Sequence, residues 1–223
     1  MDSARISALL KPFLASPLSQ LQLQQISTYI DILLRWNARI NLTAIRNEEE
    51  IVTRHFGESL FLARHIFPGG SAQAPRMTRV VDIGSGAGFP AIPLKIYSPE
   101  IHLTMIESNH KKATFLREVA RALTLTDVNV MADRAEPLAA NPSFPRADVV
   151  TFRAVEHFDQ PLKQAAVLVA PHGTVALLIG ASQLERLAQV SELSWSLPVP
   201  IPSSDARVLS IGRMGSNDWA SKT

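Results

Sequence analysis

The run Val80-Val81-Asp82-Ile83-Gly84-Ser85-Gly86-Ala87-Gly88-Phe89-Pro90 constrains this chain more than any other stretch. A short β-branched segment leads into three glycines at alternate positions, and a helical stretch opened by proline follows. A strand that turns on glycine into a helix is the first half of a βαβ unit, so a mainly parallel sheet is expected. In such sheets ligands bind at the carboxyl ends of the strands. Glycine there lets the backbone turn sharply and approach a ligand that any Cβ would strike. A dinucleotide fingerprint requires G-x-G-x-x-G, but Phe89 stands where the third glycine would be and the spacing is G-x-G-x-G. A pyrophosphate is therefore disfavoured.

The rest of the chain repeats the alternation. β-Branched runs at 80–83, 102–107, 128–131, 148–152, 175–179, 195–199 and 207–211 predict seven strands. Helical patterns fall between them at 90–97, 111–123, 160–169 and 183–190, the last opened by a Ser182/Glu185 capping box. The last two strands are joined without a clear helix. Ahead of the sheet lies an all-helical element. Leu23, Ile26, Ile30, Leu33 and Leu34 recur at three- and four-residue steps behind a Ser19/Gln22 capping box. A second helix is expected from Asn47 towards His65, with Glu48, Glu49 and Glu50 at the end where the helix dipole favours anions. The Gly- and Pro-rich stretch 68–75 marks a loop. The expected organisation is a helical element at 1–75, a doubly wound α/β domain at 76–213 and a polar tail at 214–223.

Composition removes whole classes of chemistry. The chain has no cysteine, which excludes disulfides, thiolate metal sites and a thiol nucleophile. No run of about 18 apolar residues occurs and residues 1–18 lack an apolar leader, so a cytoplasmic protein without a membrane partner is expected. His55 and His110 stand in no carboxylate-histidine spacing, and no metal is expected. With 22 Lys and Arg against 20 Asp and Glu, the net charge of +2 says little about nucleic acid by itself.

The glycine spacing resembles the first motif of class I methyltransferases, whose loop holds the amino-acid part of S-adenosylmethionine. The second element of that pattern is an acid ending the next strand, which accepts hydrogen bonds from both ribose hydroxyls. Glu107 stands there, 25 positions after Asp82. Asp82 either caps the loop or faces the sulfonium, where its charge is favourable. Methylation of a pyrimidine carbon needs a cysteine to activate the ring, and none exists. Amine methylation usually employs an Asn or Asp-Pro-Pro-aromatic motif after the fourth strand; Asn141-Pro142-Ser143-Phe144 precedes that strand and is expected to be a loop. At the correct end stands Thr151-Phe152-Arg153-Ala154. An arginine stays protonated and cannot act as a base, so the reaction should need no proton removed. Guanine N7 qualifies, because its lone pair is already exposed. Arg153 either serves that site or simply caps the strand.

Taken together, the chain resembles the small-subunit (16S) ribosomal RNA guanine-N7 methyltransferase G family, the glucose-inhibited division protein B family. The resemblance is carried by Leu34-Arg35-Trp36-Asn37, Ile40-Asn41-Leu42-Thr43, Arg54-His55 with Glu58-Ser59, Asp82 to Leu94, Lys111-Lys112 with Phe115-Leu116-Arg117, Arg134-Ala135-Glu136 and Arg153-Ala154. It implies a seven-stranded Rossmann-like sheet and S-adenosylmethionine as cofactor. It further implies 16S ribosomal RNA or the small subunit as partner, and a monomer is expected. By the same resemblance Asp82, Gly84, Gly86, Gly88, Phe89 and Glu107 line the cofactor, Ala135 and Glu136 lie by its adenine, and Arg153 is the catalytic candidate, binding cofactor or substrate. Arg54, His55, Lys111 and Lys112 are the RNA contacts it implies. The chain departs from the pattern at Gly57, Glu58, Asn109-His110 and Ile179. Two alternatives stand beside this reading: a small-molecule methyltransferase, and a non-catalytic RNA-binding or ribosome-assembly protein that retained the fold.

Overall fold

A computed structural model describes residues 1–68, 77–153 and 159–215. The expected linker from 69 onward, the boundary at 75/76, Ala154 and most of the expected tail lie outside these residues.

The N-terminal element begins with α1 (Ser3–Leu10), whose first turn is capped by the Asp2 carboxylate accepting from the Arg5 N–H. This helix was not expected, because eight residues with only Ile6 and Leu10 buried carry too little periodicity. In α2 (Gln20–Asn37) the capping box forms in both directions: Ser19 Oγ accepts from the Gln22 N–H and Gln22 Oε1 from the Ser19 N–H. Asn47 caps α3 (Glu48–Glu50), which passes through a π-helical stretch at Ile51–Gly57 into α4 (Glu58–Ile66). The periodicity had predicted one regular helix. At Gly57, within the π-helical stretch, an added Cβ would lie 2.7 Å from the Phe13 ring. That ring occupies the space a side chain would need.

Five strands form the parallel body: β1 (Arg79–Ile83), β2 (His102–Ile106), β3 (Val128–Met131), β4 (Ala147–Arg153) and β5 (Val169–Gly180). They lie in the order β3-β2-β1-β4-β5. Beyond β5 the sheet turns antiparallel, with β8 (Arg207–Met214) against β5, and both β6 (Leu193–Trp195) and β7 (Val199–Pro200) against β8. The strand expected at 195–199 is thus two short ones. Pro198 lies in the break, where a missing N–H denies the ladder a donor. The sheet has eight strands among the described residues, and β8 runs one residue past the expected domain end at 213.

Helices α5 (Ala91–Tyr97), α6 (His110–Ala122), α7 (Ala135–Ala140) and α8 (Asp159–Leu168) fill the crossovers. The stretch after β5 is a 3₁₀ helix, Ala181–Gln189, rather than an α-helix. The Ser182/Glu185 box is replaced by the Gly180 N–H donating to Gln183 Oε1, which starts the turn two residues earlier.

Period-two alternation sends the side chains of each central strand to opposite cores. Val80, Val149, Ala176 and Leu178 face α2, α4, α5 and α6, whereas Val81, Val150, Val175 and Leu177 face α7 and α8. The helical N-terminus is therefore continuous with one sheet core. Tyr29 stacks on Phe89 at 5.2 Å between centroids, and Phe56 meets both rings edge-on. Burying aromatic rings of this size contributes roughly 1.5–3 kcal/mol each.

Candidate active site

The glycine turn is fixed from beneath by the end of β2. Gly84 and Ser85 N–H groups both donate to the Ile106 carbonyl, at 2.8 and 3.1 Å, and Gly88 N–H donates to Ser85 O. The Gly86 N–H donates to Glu107 Oε2 at 2.8 Å. With these four amides turned inward, the loop offers no cradle for phosphate oxygens, in line with the spacing that disfavoured a pyrophosphate. Positive φ at Gly84, Gly86 and Gly88 explains the residue type, but the three differ in surroundings. A Cβ on Gly84 would meet nothing within 4 Å. On Gly88 it would strike the Tyr29 hydroxyl, with Ile92 Cδ1 2.8 Å away. Gly84 opens onto free space and Gly88 makes room for α2. The Phe89 side chain is likewise buried, held between Tyr29 and His55.

Glu107 spans the ends of β1 and β2. Its second oxygen accepts from the Asn109 N–H at 2.8 Å, so each carboxylate oxygen keeps a lone pair for a further donor. Beside it a cleft of about 230 Å³ opens, lined by Ile83, Gly84, Ile106, Ala135, Glu136 and Gln164 among others. Ala135 is buried in the core beside the cleft, while Glu136 is exposed at its edge. A larger hollow of about 460 Å³ lies at the opposite rim, around Thr78, Asp148 and Thr174, far from the glycine turn. Binding at the carboxyl ends of the strands favours the smaller one.

Asp82 is fully enclosed. Thr151 Oγ1 donates to its Oδ1 at 2.7 Å, while Oδ2 is buried without a partner. Burial pushes its carboxyl up to about 7, against the stabilising effect of the Ser85 and Thr151 hydroxyls.

Arg153 ends β4 on the same face as Asp82 and Thr151, and that face looks onto the π-helical stretch. Its Nη1 donates to His55 Nδ1 at 2.6 Å, and its Nη2 donates to Arg54 O and lies 3.2 Å from Glu58. The other His55 nitrogen meets Thr43 Oγ1 at 2.8 Å. Because Nδ1 accepts, Nε2 carries the proton and donates a hydrogen bond to Thr43 Oγ1. Thr43 itself sits in a loop pinned by Asn37, which accepts from the Leu42 and Thr43 N–H groups. Burial and the three guanidiniums around it lower the His55 pKa to about 3, leaving the imidazole neutral. His55, expected among the RNA contacts, is buried and bonded through both nitrogens, one of them to Arg153. Arg54 is exposed, as is Lys111, and Lys112 is half-buried. The two lysines open α6 beside β2 and Arg54 lies beside β4, so they flank the glycine turn rather than meeting.

Residues 22–199 match the family described as rRNA small subunit methyltransferase G. The chain belongs to this family. A Chromobacterium violaceum protein named ribosomal RNA small subunit methyltransferase G is 36% identical over 196 residues, spanning 86% of this chain and 88% of that one. A Chloroflexus aggregans protein of the same name is 39% identical over 204 residues, spanning 87% and 83%. Among solved structures, the ribosomal protein L11 methylase of Lactobacillus delbrueckii subsp. bulgaricus superposes with a TM-score of 0.55 at 18% identity, over 71% of this chain and 79% of that one. At that identity the likeness shows the fold alone.

As a methyltransferase G family member, the chain is a methyltransferase whose cofactor is S-adenosylmethionine. Its residues fit that group. The open space at Gly84, the free lone pairs of Glu107 and the orphaned Oδ2 of Asp82 converge on one rim. The departures from the family pattern also gain reasons. Phe13 supplies the apolar bulk missing at Gly57. The longer Glu58 reaches three arginines, Asn109 caps α6 through the Lys111 and Lys112 N–H groups, and Ile179 is buried in the α7–α8 core. Arg207, Thr151, Thr43 and Tyr29 were missed as site residues. Thr151 stands two residues before Arg153 in the same strand, whereas Thr43, Tyr29 and Arg207 join the site across sequence gaps that no local motif spans.

Proposed function

We propose that this protein transfers a methyl group from S-adenosylmethionine to N7 of a guanine in 16S ribosomal RNA, acting as a monomer in the cytoplasm. The cofactor supplies an electrophilic methyl on a sulfonium. Gly84 lets the backbone close on its amino-acid part, Asp82 Oδ2 faces its positive charge, and Glu107 takes the ribose hydroxyls on its two unused lone pairs. Ala135 and Glu136 border the adenine. Gly86 and Gly88 with Phe89 shape the turn from behind rather than touching the ligand through side chains.

The observation that carries the choice of atom is the end of β4. Arg153 stands there, and its lowered pKa of about 10, caused chiefly by burial, still leaves it charged at neutral pH. His55 has lost its free lone pair to Arg153. The carboxylates nearest this strand end, Glu58 and Asp82, are both buried, Glu58 against arginines and Asp82 against Thr151, so an acceptor that needs no base is favoured. Guanine N7 meets that requirement, and positioning in line with the methyl supplies the catalysis. Arg54, Lys111 and Lys112, on either side of the turn, provide phosphate contacts. Support for the RNA substrate comes from family membership.

Purified small subunits from cells lacking the gene should accept label from the methyl donor, and N7-specific strand cleavage should map the mark to one guanine. Incorporation elsewhere than N7 overturns the assignment; label on small molecules alone favours the small-molecule alternative.

A further inference from the structure

Away from the cofactor cleft, three guanidiniums converge on one carboxylate. Arg207 Nη2 lies 2.8 Å from Glu58, Arg153 Nη2 3.2 Å and Arg54 Nε 3.6 Å. Glu58 is 2% exposed, whereas the arginine side chains are 19%, 16% and 44% exposed, so the carboxylate forms the floor and the cations the opening. Arg54 also lies 3.5 Å from the exposed Glu50, so with His55 neutral the group carries one positive charge in excess among the described residues. Half-buried cations in such excess call for an anion.

The three arginines come from different parts of the chain and meet at one place. Arg153 closes β4, Arg207 pairs with Gly180 at the carboxyl end of β5, and Arg54 comes from the π-helical stretch above them. The cluster therefore lies at the same rim as the glycine turn, on the β4–β5 side, while the cleft by Gly84, Ile106 and Ala135 lies on the β1–β3 side. A guanidinium fork matches paired oxyanions such as a phosphodiester. The cofactor's own carboxylate shares that anionic chemistry, but the position across the strand end from the cleft favours the polymer.

We propose that Arg54, Arg153 and Arg207, arrayed around Glu58, bind one backbone phosphate of the RNA substrate and so set the target base at the end of β4. This rests on the RNA reading above. The test is filter binding of unmodified 16S ribosomal RNA at several salt concentrations, with calorimetric titration of S-adenosylmethionine alongside. For Arg207→Gln the slope of log affinity against log salt should fall by about 0.7–0.9, one phosphate's worth, with cofactor affinity unchanged. Arg207→Lys should keep the slope. Glu58→Gln removes the competing carboxylate and should tighten RNA binding several-fold. A purely structural cluster predicts no gain from Glu58→Gln, and that result overturns the proposal, whether or not Arg207→Gln folds. An unchanged slope in folded Arg207→Gln also overturns it, and weakened cofactor binding there assigns the arginines to the cofactor's carboxylate instead. Wild-type protein without salt-dependent RNA affinity refutes the substrate reading itself, and the phosphate site falls with it.

Discussion

Gly84 and Gly88 share a left-handed backbone, with φ of +66° and +84°, yet substitution to alanine should separate ligand approach from packing. The strain of placing an L side chain there is about 1–2 kcal/mol in both cases. At Gly84 the new methyl meets no protein atom within 4 Å, so strain is the whole effect on stability. At Gly88 the methyl strikes the Tyr29 hydroxyl, Ile92 and Leu116, which adds roughly 1–3 kcal/mol of overpacking. For a chain of this size about 1 kcal/mol moves Tm by roughly 2–4 °C. Gly84→Ala should therefore melt about 5 °C below wild type, and Gly88→Ala should fall further. Cofactor affinity should rank the other way. The Gly84 methyl projects into the space assigned to the ligand, so Kd for S-adenosylmethionine should rise at least tenfold, which corresponds to about 1.4 kcal/mol. Calorimetric titration at a temperature where both variants are folded reads this directly. Normal affinity in folded Gly84→Ala would refute the argument that the bare backbone at this position exists for the ligand.

Tyr29→Phe removes the hydroxyl that donates to the Ala87 carbonyl, and should destabilise by about 0.5–1.5 kcal/mol in denaturant unfolding while weakening cofactor binding through a looser turn. Asp82 has a folded pKa of about 7, above its unfolded value near 4, so the folded state binds the extra proton between these limits and loses stability as pH rises from about 4 to 7. Asp82→Asn lacks that loss; its stability relative to wild type, from chemical denaturation at pH 5 and 7, should be greater at pH 7. The His55 ring should show no titration above about pH 4 in an NMR pH series, since burial and the neighbouring arginines hold it neutral. Lys95→Met deletes the ammonium that donates to Pro99 O and Ile101 O, each at 2.6 Å, and should cost about 2 kcal/mol or more without altering cofactor affinity.

Much of this protein was legible along the chain because its signals are local. The capping box at Ser19, the strand entering Gly84 and the acid at 107 depend on spacings within one element or one βαβ unit, and all three occur where expected. Weak local signals failed at predictable places. Eight residues of α1 and six of α7 are too short for a period to emerge, and Pro198 splits an apparent strand. The surroundings of Phe89 and His55 were harder to see: the two rings stack and are buried through the packing of the π-helical stretch on the turn, which no local spacing reveals.

By itself the sequence determined the doubly wound sheet, the glycine turn, the carboxylate beside it and the absence of any thiol chemistry, because strand period, backbone freedom and residue inventory are properties of neighbours in the chain. Tertiary structure alone decided that Arg54, Arg153 and Arg207 would surround Glu58, and that Tyr29 would brace the turn. Those groups are brought within reach by sheet order and by helices packing on one face. Burial then turns a scattered set of surface-type residues into a neutral histidine, an enclosed carboxylate and an excess of positive charge.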